Sequence, residues 1–376
     1  MLLSTNSHLP AMPASSSQST DPSLYAVILA GGHGERFWPL SRKARPKHHL
    51  ALFSHRTLLE STLDRLAGLV ALERILVLTG ADQAEAVRAM LPQLPAENIV
   101  VEPERRDTAA AMALAAGVIA RRNPNATAIV LPSDHHIPCT QSLQQTLRNA
   151  ADVAVRSQSI VTIAIQPDWP CPGFGYLELG APIGDSTPET PAAHPVLRFH
   201  EKPTICVAKE YLSRGNFQWN AGMFVWTVPA LRKALRATAP QLADFCEELE
   251  KTDALEDFLA ERFHAVPKIS FDFAVMEKLS DALAVEATFQ WDDLGGWPAA
   301  GKYLPTDMEG NSSNASLQAM DSRGNIVFST DPTQHIALLG VENLIVVNTG
   351  DALLVCPRDQ AERLKEVVAG LPPSLR

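Results

Sequence analysis

The feature that most constrains the fold of this 376-residue chain is a short apolar run followed directly by a glycine-rich turn. Residues 25–29 are apolar without alternation, which is typical of a strand buried on both faces of a parallel sheet. Glycines fill most of residues 31–34, and there they expose backbone N–H groups and let a phosphate chain approach without Cβ interference. Arg36 and Lys47 add positive charge beside this turn. The sequence therefore predicts a loop that binds a nucleoside triphosphate.

Short apolar runs alternate with helical patterns from residue 25 to about residue 165. Further strands are predicted at 74–80, 99–102, 126–132 and 160–165, and helices at 58–70, 82–91, 108–122 and 142–158. This alternation predicts an α/β fold, a Rossmann-like, mostly parallel sheet with right-handed crossovers and flanking helices. Ligands of such sheets bind beyond the carboxyl ends of the strands, so the glycine loop, Glu102 and Asp134 are expected in one crevice.

Two well-known phosphate loops do not match. No Walker A string occurs in the chain, and Phe37 occupies the place of the third glycine in G-x-G-x-x-G, which disfavours a dehydrogenase. The remaining pattern is G-G-x-G-x-R-x-x-P-L-[ST]-x-x-x-x-P-K. It resembles the signature of the sugar-1-phosphate nucleotidylyltransferases, and the FWPLSR string at 37–42 favours the mannose-1-phosphate guanylyltransferase branch of that family.

Composition excludes several other classes of protein. The formal net charge of −10 argues against a nucleic-acid partner. The cysteines are scattered without a C-x-x-C pair, which argues against a zinc site or disulfide framework and favours a reducing cytoplasm. No apolar run approaches the ~20 residues that a membrane helix needs. Residues 1–23 are rich in Ser, Pro and Thr and are expected to form a disordered extension rather than a signal peptide.

The chain is expected to contain two domains, a catalytic domain at 24–304 and a small β-rich domain with a closing helix at 305–376. Loop 180–193 is predicted between two strands, helices are predicted at 228–237 and 241–249, and the second domain is predicted to contain strands at 325–328, 336–339, 344–347 and 352–355 and a helix at 359–369. These strands show no clean six-residue repeat, which argues against a long β-helix. The domain is a candidate surface for a homo-oligomer. Many bacterial relatives also carry a C-terminal isomerase cupin, which is not expected here.

Two acidic sites favour a divalent metal. Asp134 ends the LPSDH string after a predicted strand, and Asp292 and Asp293 lie in an aromatic-flanked turn. Each residue alone is explained more simply by its turn, but distant carboxylates that meet substrate phosphates are typical of a Mg²⁺ site. The family resemblance implies that Asp134 and Asp293 hold this ion. His135 and His136 lack a third ligand at a spacing suitable for zinc.

Several further strings resemble family motifs, namely EPERRDTA at 102–109, PGFGY at 172–176, FHEKP at 199–203, WNAGMF at 219–224 and SFDFAVMEK at 270–278. The resemblance implies that the sugar phosphate is bound by Gly175, Glu201, Lys202, Asn220 and Gly222. It implies that the nucleotide is bound by Leu29, Gly31, Gly32, Gly34, Glu102 and Thr108. Asp272 and Glu277 are weaker candidates for the sugar side. Asp107 or Thr108 could instead simply cap the alanine-rich helix.

The resemblance predicts that the chain joins mannose 1-phosphate to GTP and releases diphosphate. The sugar phosphate would attack the α-phosphorus in line, Arg36 would stabilise the leaving diphosphate, and Lys47 would stabilise the α-phosphoryl group. Departures from the family pattern at His48, Asp107 and Gly296 leave base and sugar selectivity open. The alternatives are the same chemistry with dTTP or UTP and glucose 1-phosphate, and a non-catalytic nucleotide-sugar sensor.

Overall fold

The computed structural model describes residues 21–376, except 33, 185–186, 188–190 and 332. All but the last three residues of the predicted disordered extension, and part of the predicted loop 180–193, therefore lie outside the described residues. Within the described residues the large sheet contains β1 (Leu24–Ala30), β2 (Ile75–Gly80), β3 (Ile99–Glu102), β4 (Thr127–Pro132), β5 (Val161–Ile165), β6 (Tyr176–Leu179), β7 (Ala193–His200), β8 (Phe217–Thr227) and β9 (Leu283–Glu286).

The large sheet has the strand order β3-β2-β1-β4-β8-β5-β9-β7-β6. Strands β3, β2, β1 and β4 are parallel, as predicted from the alternating pattern. β8 lies antiparallel to both β4 and β5, and β6 and β7 pair antiparallel at the far edge. The sheet is therefore parallel on the side of the glycine loop and mixed on the other side, where β5 and β9 are parallel while β7 lies antiparallel to both β9 and β6.

Helices cover both faces of this sheet. They are α1 (Leu58–Asp64), α2 (Ala84–Met90), α3 (Asp107–Arg122), α4 (Thr140–Ser157), α5 (Ile205–Arg214), α6 (Val228–Thr238), α7 (Pro240–Glu250) and α8 (Leu255–Arg262). One core lies under α3, α6 and α7, and a second core lies under α1, α2 and α4. The short helix α9 (Trp297–Gly301) packs instead in a third core with Phe37 and Ile326. In the part of the chain that the structure describes, no helix combines the length and the apolarity needed to cross a bilayer.

The alanine-rich helix α3 is buried because it lies between the sheet and α7. A Cβ atom at Gly117 would lie 2.7 Å from Cδ2 of Leu249 in α7, so only glycine permits this close approach. The helix begins at Asp107 and its N-cap residue is Arg106, whose side chain makes no cap bond, but Oδ1 of Asp107 accepts from the N–H of Thr108 at 2.7 Å. Thr108 instead accepts a hydrogen bond from the backbone N–H of Phe271 at 2.8 Å.

The C-terminal strands alternate between two small sheets. They are β10 (Ser312–Ser313), β11 (Ser316–Met320), β12 (Ile326–Ser329), β13 (His335–Leu339), β14 (Leu344–Asn348) and β15 (Leu353–Pro357). β10, β12 and β14 pair in parallel, as do β11 and β13, while β15 closes the first sheet antiparallel to β14. The chain therefore coils as a short β-helix. This coil was not predicted, because the sequence shows no six-residue repeat.

The length of a coil explains why that prediction missed the β-helix. Ser312 pairs with Ile326, 14 residues further on, whereas Ile326 pairs with Ile345 and Ser316 with His335, each 19 residues further on, so the coils differ in length. An asparagine ladder satisfies the backbone at one corner, because Asn325 donates to Oδ1 of Asn311 at 2.8 Å and accepts from the N–H of Leu344 at 2.9 Å. The predicted closing helix is present as a 3₁₀ segment, Arg358–Arg363, followed by α10 (Leu364–Gly370).

The β-helix is packed directly against the segment that follows the glycine loop. Phe37 lies edge-on to Trp297 with ring centroids 5.3 Å apart, and Trp297 contacts Phe328 of β12 at 5.1 Å. Leu364 of α10 belongs to the same buried cluster. A shared apolar core therefore holds the C-terminal strands beside the loop that the sequence analysis placed at the centre of the site.

Candidate active site

The glycine loop follows β1 and is held by side chains from both sides. Gly34 has φ +69°, and a Cβ atom there would overlap the Cβ of Lys47, so this position requires glycine on two grounds. Ser41 donates to the carbonyl of Gly34 at 2.8 Å, and Arg105 donates to the carbonyl of Gly31 at 2.9 Å. A Cβ atom at Gly31 or Gly32 would meet nothing within 4 Å, so this part of the loop borders open space.

Lys47 occupies a short 3₁₀ turn, Lys47–His49, and is 8 % exposed. Its Nζ lies 2.9 Å from Oδ2 of Asp134, which follows β4, and also donates to the backbone carbonyl of Asp293. A single ammonium group thus connects three parts of the chain that are far apart in sequence. The structure brings together these three residues that the sequence analysis singled out.

The two aspartates differ in their electrostatics. Burial by itself raises the pKa of Asp134, but Lys47 and His135 outweigh burial and hold this pKa below its usual value, so the carboxylate is ionised. Burial raises the pKa of Asp293; Lys47 opposes this rise, while Asp292 and Asp134 add to it. The second carboxylate therefore lies in a region that already carries negative charge, which a cation would stabilise.

Asp292 has a structural environment instead. Its Oδ1 accepts from the N–H of Leu294 at 2.8 Å, and its Oδ2 accepts from Lys302 at 3.1 Å and from the hydroxyl of Tyr303 at 3.3 Å. Its backbone also pairs with that of His136. The carboxylate of Asp292 is thus used to hold its own turn, whereas Asp293 accepts from Lys47 through its backbone carbonyl.

Arg36 completes the group of charged residues. Its Nη1 donates to the carbonyl of Gly295 at 3.1 Å, and its Nε lies 3.1 Å from Oε2 of Glu362. A Cβ atom at Gly296 would lie 3.2 Å from the Cβ of Arg36, so this glycine leaves room for the arginine. We refer to Arg36, Lys47, Asp134 and Asp293 as the charged cluster.

The charged cluster fits a hard divalent cation by its donor chemistry. Mg²⁺ takes oxygen ligands and is often held by one or two carboxylates, with water and phosphate completing its shell. Among the described residues no group of three or more His, Cys, Asp or Glu side chains suits a metal ion. The neighbouring His135 accepts at Nδ1 from Trp291 at 3.0 Å, and burial lowers its pKa to about 4.

The predicted nucleotide residues have different environments. Glu102 ends β3 and is 8 % exposed; burial raises its pKa to about 7, with Arg105 opposing this rise and Asp107 adding to it. Gly31, Gly32 and Gly34 border the crevice, as described above. The carbonyl of Leu29 instead accepts from the N–H of Ser133 at 3.1 Å, and the hydroxyl of Thr108 accepts from the N–H of Phe271. Both hydrogen bonds stabilise the fold.

A second group of residues surrounds the amide of Asn220 in β8. Oδ1 of Asn220 accepts from Thr162 at 2.7 Å and from the N–H of Gly222 at 3.2 Å, and Nδ2 donates to Asp272 at 3.1 Å. A Cβ atom at Gly175 would lie 2.7 Å from Oε2 of Glu201, so the glycine permits this close approach. We refer to Gly175, Glu201, Asn220, Gly222 and Asp272 as the amide cluster.

The amide cluster carries two nearby carboxyl groups and one cation. Burial raises the pKa of Asp272 to about 6, and Glu201 adds to this rise. Lys202 forms an ion pair with Glu201 and is 63 % exposed, with a left-handed φ of +46°. Asp272 begins a π-helical turn, Asp272–Met276, and Glu277 accepts from the N–H of Glu201 at 3.4 Å. π-Helical turns are frequent at functional sites.

The two clusters meet beyond the end of β4, because β8 pairs with β4 only over residues 224–227 and its residues Asn220 and Gly222 continue past that end. A Cβ atom at Gly222 would lie 3.8 Å from Cγ of Pro132, which ends β4 two residues before Asp134. Leu29 of β1 pairs with Pro132 in the sheet register. The glycine loop, the charged cluster and the amide cluster therefore border one crevice beyond the carboxyl end of β4, as the strand order predicts.

Sequence reasoning missed two residues that organise this crevice. Arg105 hydrogen-bonds to the glycine loop and forms an ion pair with Asp82 at 3.0 Å. It belongs to the EPERRDTA string, but nothing in that string indicated a role for it. Glu362 contacts Arg36 from the C-terminal domain, and no motif surrounds it. Its position beside Arg36 follows only from the packing of the β-helix.

Comparisons with known proteins show the family of this chain. Residues 25–306 match the family model for nucleotidyl transferases, and residues 318–371 match that for the mannose-phosphate isomerase/GMP-like β-helix domain. A mannose-1-phosphate guanylyltransferase of Sinorhizobium fredii is 34% identical over 93% of this chain and 68% of its own length. The xanthan biosynthesis protein XanB of Xanthomonas campestris is 35% identical over 91% of this chain and 72% of its own length.

A solved structure also superimposes on most of the chain. The crystal structure described as a mannose-1-phosphate geranyltransferase from Thermus thermophilus shares 35% sequence identity, with a TM-score of 0.81, over 92% of this chain and 98% of its own. The match includes the β-helix as well as the α/β domain, because it covers nearly all of both chains. The chain therefore belongs to the nucleotidyl transferase family, among the mannose-1-phosphate guanylyltransferases.

Proposed function

We propose that this protein transfers a guanylyl group from GTP to α-D-mannose 1-phosphate and releases diphosphate. The observation that carries the proposal is the position of Lys47, whose Nζ contacts both Asp134 and the backbone of Asp293 at one end of the crevice. A cation and two carboxylates at a strand end beside a glycine loop suit a reaction between two phosphate groups. The names of the similar proteins support the choice of sugar and base.

The reaction needs positioning and charge stabilisation more than it needs a base. A sugar phosphate oxygen is already anionic near neutral pH and can attack the α-phosphorus of GTP in line. Lys47 would stabilise the charge at the α-phosphoryl group, and Arg36 would stabilise the leaving diphosphate. Lys47 is paired with Asp134 in the free protein, so it must share or exchange this partner when the substrate binds.

The charged cluster would also hold Mg²⁺, through the carboxylates of Asp134 and Asp293. When bound, this ion supplies Lewis-acid neutralisation of phosphate charge. Asp134 suits this role because Lys47 and His135 keep its carboxylate ionised at neutral pH. Asp293 suits it because burial raises the pKa of its carboxyl group, with Asp292 and Asp134 adding to this rise, so a bound cation would stabilise the ionised form.

The amide cluster would bind the sugar. The carboxylate of Glu201 and the amide of Asn220 can accept and donate hydrogen bonds to neighbouring hydroxyls, and Gly175 and Gly222 leave space beside them. Lys202 is exposed and could turn from Glu201 towards the sugar phosphate. We assign the nucleotide to the opposite side, lined by Leu29, Gly31, Gly32, Gly34, Glu102 and Thr108.

Three further aspects of the predicted function stay predictions. They are the cytoplasmic location of the reaction, the division into domains at residues 304 and 305, and assembly into a homo-oligomer through the C-terminal domain. None of the contacts described above depends on them.

A grid of substrates tests the proposal. Diphosphate release by the purified chain would be measured with GTP, dTTP and UTP against mannose 1-phosphate and glucose 1-phosphate, with and without Mg²⁺. We expect the highest kcat/KM for GTP with mannose 1-phosphate and loss of turnover when EDTA removes the divalent ion. A preference for dTTP or UTP with glucose 1-phosphate would contradict the substrate assignment. No release with any pair would favour a non-catalytic nucleotide-sugar sensor.

A further inference from the structure

Glu362 is an exposed carboxylate of the C-terminal domain that reaches the charged cluster. It lies in the 3₁₀ segment Arg358–Arg363, and its Oε2 is 3.1 Å from Nε of Arg36. The two residues are more than three hundred positions apart in the sequence. Through this contact the β-helix touches a residue that we place at the leaving diphosphate.

The contact leaves most of the donor groups of Arg36 free. Arginine presents five N–H donors in a planar fork. Nε lies 3.1 Å from Oε2 of Glu362 in an ion pair, and Nη1 donates to the carbonyl of Gly295 at 3.1 Å. Among the described residues, Nη2 of Arg36 has no hydrogen-bond partner. A guanidinium held at two points in this way has its remaining donors fixed in direction.

The segment that carries Glu362 is anchored on both sides. Ala361 is 8 % exposed and Leu364 is 3 % exposed, and both pack in the core shared with Phe37 and Trp297. Phe37 directly follows Arg36. The backbone positions of the carboxylate and the guanidinium are thus set by one apolar core, even though the two side chains themselves are solvent-exposed.

We propose that Glu362 is a positioning residue of the transferase site, so that the C-terminal β-helix completes the catalytic arrangement by orienting Arg36. This inference rests on the proposed guanylyl transfer. Glu362 itself touches no substrate in this scheme. Its effect reaches the reaction only through the direction in which Arg36 presents its free N–H groups to the leaving diphosphate.

The opposite effect also has to be weighed, because a carboxylate near a triphosphate repels it. The side chain of Glu362 is 72 % exposed, so water and salt screen its charge at any distance beyond its direct partner. Orientation of a donor does not weaken with screening in this way. We therefore expect the loss of positioning to outweigh the relief of repulsion.

Charge and geometry can be separated with three variants at one position and a matched control. Glu362→Ala removes the carboxylate, Glu362→Gln keeps an acceptor without the charge, and Glu362→Asp keeps the charge with a shorter reach. Glu366→Ala is the control, since Glu366 is also exposed and pairs with Arg363 at 3.2 Å rather than with Arg36. Each variant would be assayed for GDP-mannose formation, with kcat and both KM values, and for its melting temperature.

We expect Glu362→Ala to lower kcat by about tenfold, with a smaller change in the KM for mannose 1-phosphate. Glu362→Gln should recover most of the activity, and Glu366→Ala should match the wild type. All melting temperatures should be similar, since an exposed ion pair contributes little to stability. In an Arg36→Ala background the further change Glu362→Ala should have no effect on kcat, because the residue to be oriented is gone.

Each other outcome has a clear meaning. An unchanged kcat in Glu362→Ala, or the same loss in Glu366→Ala, would overturn the positioning role while the proposed function stands. A lower KM for GTP in both Glu362→Ala and Glu362→Gln would show that repulsion dominates, and would also overturn it. The positioning role would also be overturned if the losses of kcat caused by Glu362→Ala and by Arg36→Ala were fully additive in the double variant. A wild-type enzyme without any turnover would instead refute the proposed function, and this inference with it.

Discussion

On one side of the crevice, the charged cluster is held by ion pairs between residues that lie far apart in the chain. On the other side, the amide cluster is held by hydrogen bonds around a neutral side chain. Nζ of Lys47 lies 2.9 Å from Oδ2 of Asp134. Asn220 satisfies both ends of its amide within β8 and its neighbours, with Thr162 at 2.7 Å and Asp272 at 3.1 Å.

This difference indicates how each side responds to a ligand. Lys47 is already paired, so phosphates must compete with Asp134 for it, whereas Arg36 keeps free N–H donors beside its contacts with Glu362 and Gly295. The amide cluster is preorganised by bonds that a bound sugar need not break. We therefore expect substitutions in the charged cluster to act mainly on kcat and those in the amide cluster to act on binding and stability.

The largest expected effect is at Lys47. Lys47→Ala should lower kcat by about 100-fold or more, since it removes a charge aimed at the transition state. Lys43→Ala is the control, because it removes an exposed lysine of the same segment. Steady-state kinetics of GDP-mannose formation provides the measurement. Near-normal turnover in Lys47→Ala would show that the charged cluster is only structural.

A smaller effect is expected when the loop is distorted without the loss of a charge. An alanine at Gly34 would overlap the Cβ of Lys47, whereas Gly68, with a similar left-handed φ of +79°, has nothing within 4 Å of a Cβ atom. Both Gly34→Ala and Gly68→Ala should lose about 1–2 kcal/mol of unfolding free energy from the left-handed backbone. Only Gly34→Ala should also lower kcat, on the order of tenfold or more, because it displaces Lys47.

Chemical denaturation and kinetics on the same two preparations would separate these contributions. Equal kcat values for Gly34→Ala and Gly68→Ala would mean that the position of Lys47 does not depend on the loop. That result would weaken the contrast between the two sides of the crevice, since the charged cluster would then tolerate displacement.

The smallest effect concerns stability in the amide cluster. Burial, with Glu201 adding to it, raises the pKa of Asp272 to about 6, above its ordinary value of 3.8. The stability that Asp272 contributes is therefore fully present below pH 3.8 and is lost as the pH rises through 6. Asparagine does not ionise, so the melting temperature of Asp272→Asn relative to wild type should rise by a few degrees between about pH 4 and pH 7.

Thermal melts across this pH range provide the measurement, with Asp281→Asn as the control because Asp281 is exposed and pairs with Lys233. The same pH dependence in both variants would show that the effect does not come from the amide cluster. A relative melting temperature for Asp272→Asn that falls with rising pH would reverse the expected sign and would mean that Asp272 is favoured as a carboxylate.

Much of the α/β domain could be predicted because its signals are local. The apolar run before the glycine loop, the Ala-rich pattern of α3 and the spacing of strands are readable within short windows of sequence. The mixed half of the sheet was harder to predict, since β8 pairs with β4 and β5 from a distant part of the chain. The β-helix was missed because its coils advance by 14 and by 19 residues, which leaves no short repeat to detect.

The candidate site shows the same difference between what local sequence signals predict and what long-range packing decides. The order of residues along the chain was enough to identify the groups available for chemistry, namely the glycines of the loop, the cations that follow them and the carboxylates at strand ends. Folding in three dimensions was needed to establish that Lys47 contacts the backbone of Asp293 while Asp292 holds its own turn, and that Glu362 meets Arg36. A local pattern sets backbone conformation and burial, whereas the partner of a side chain depends on how distant segments pack around a shared core.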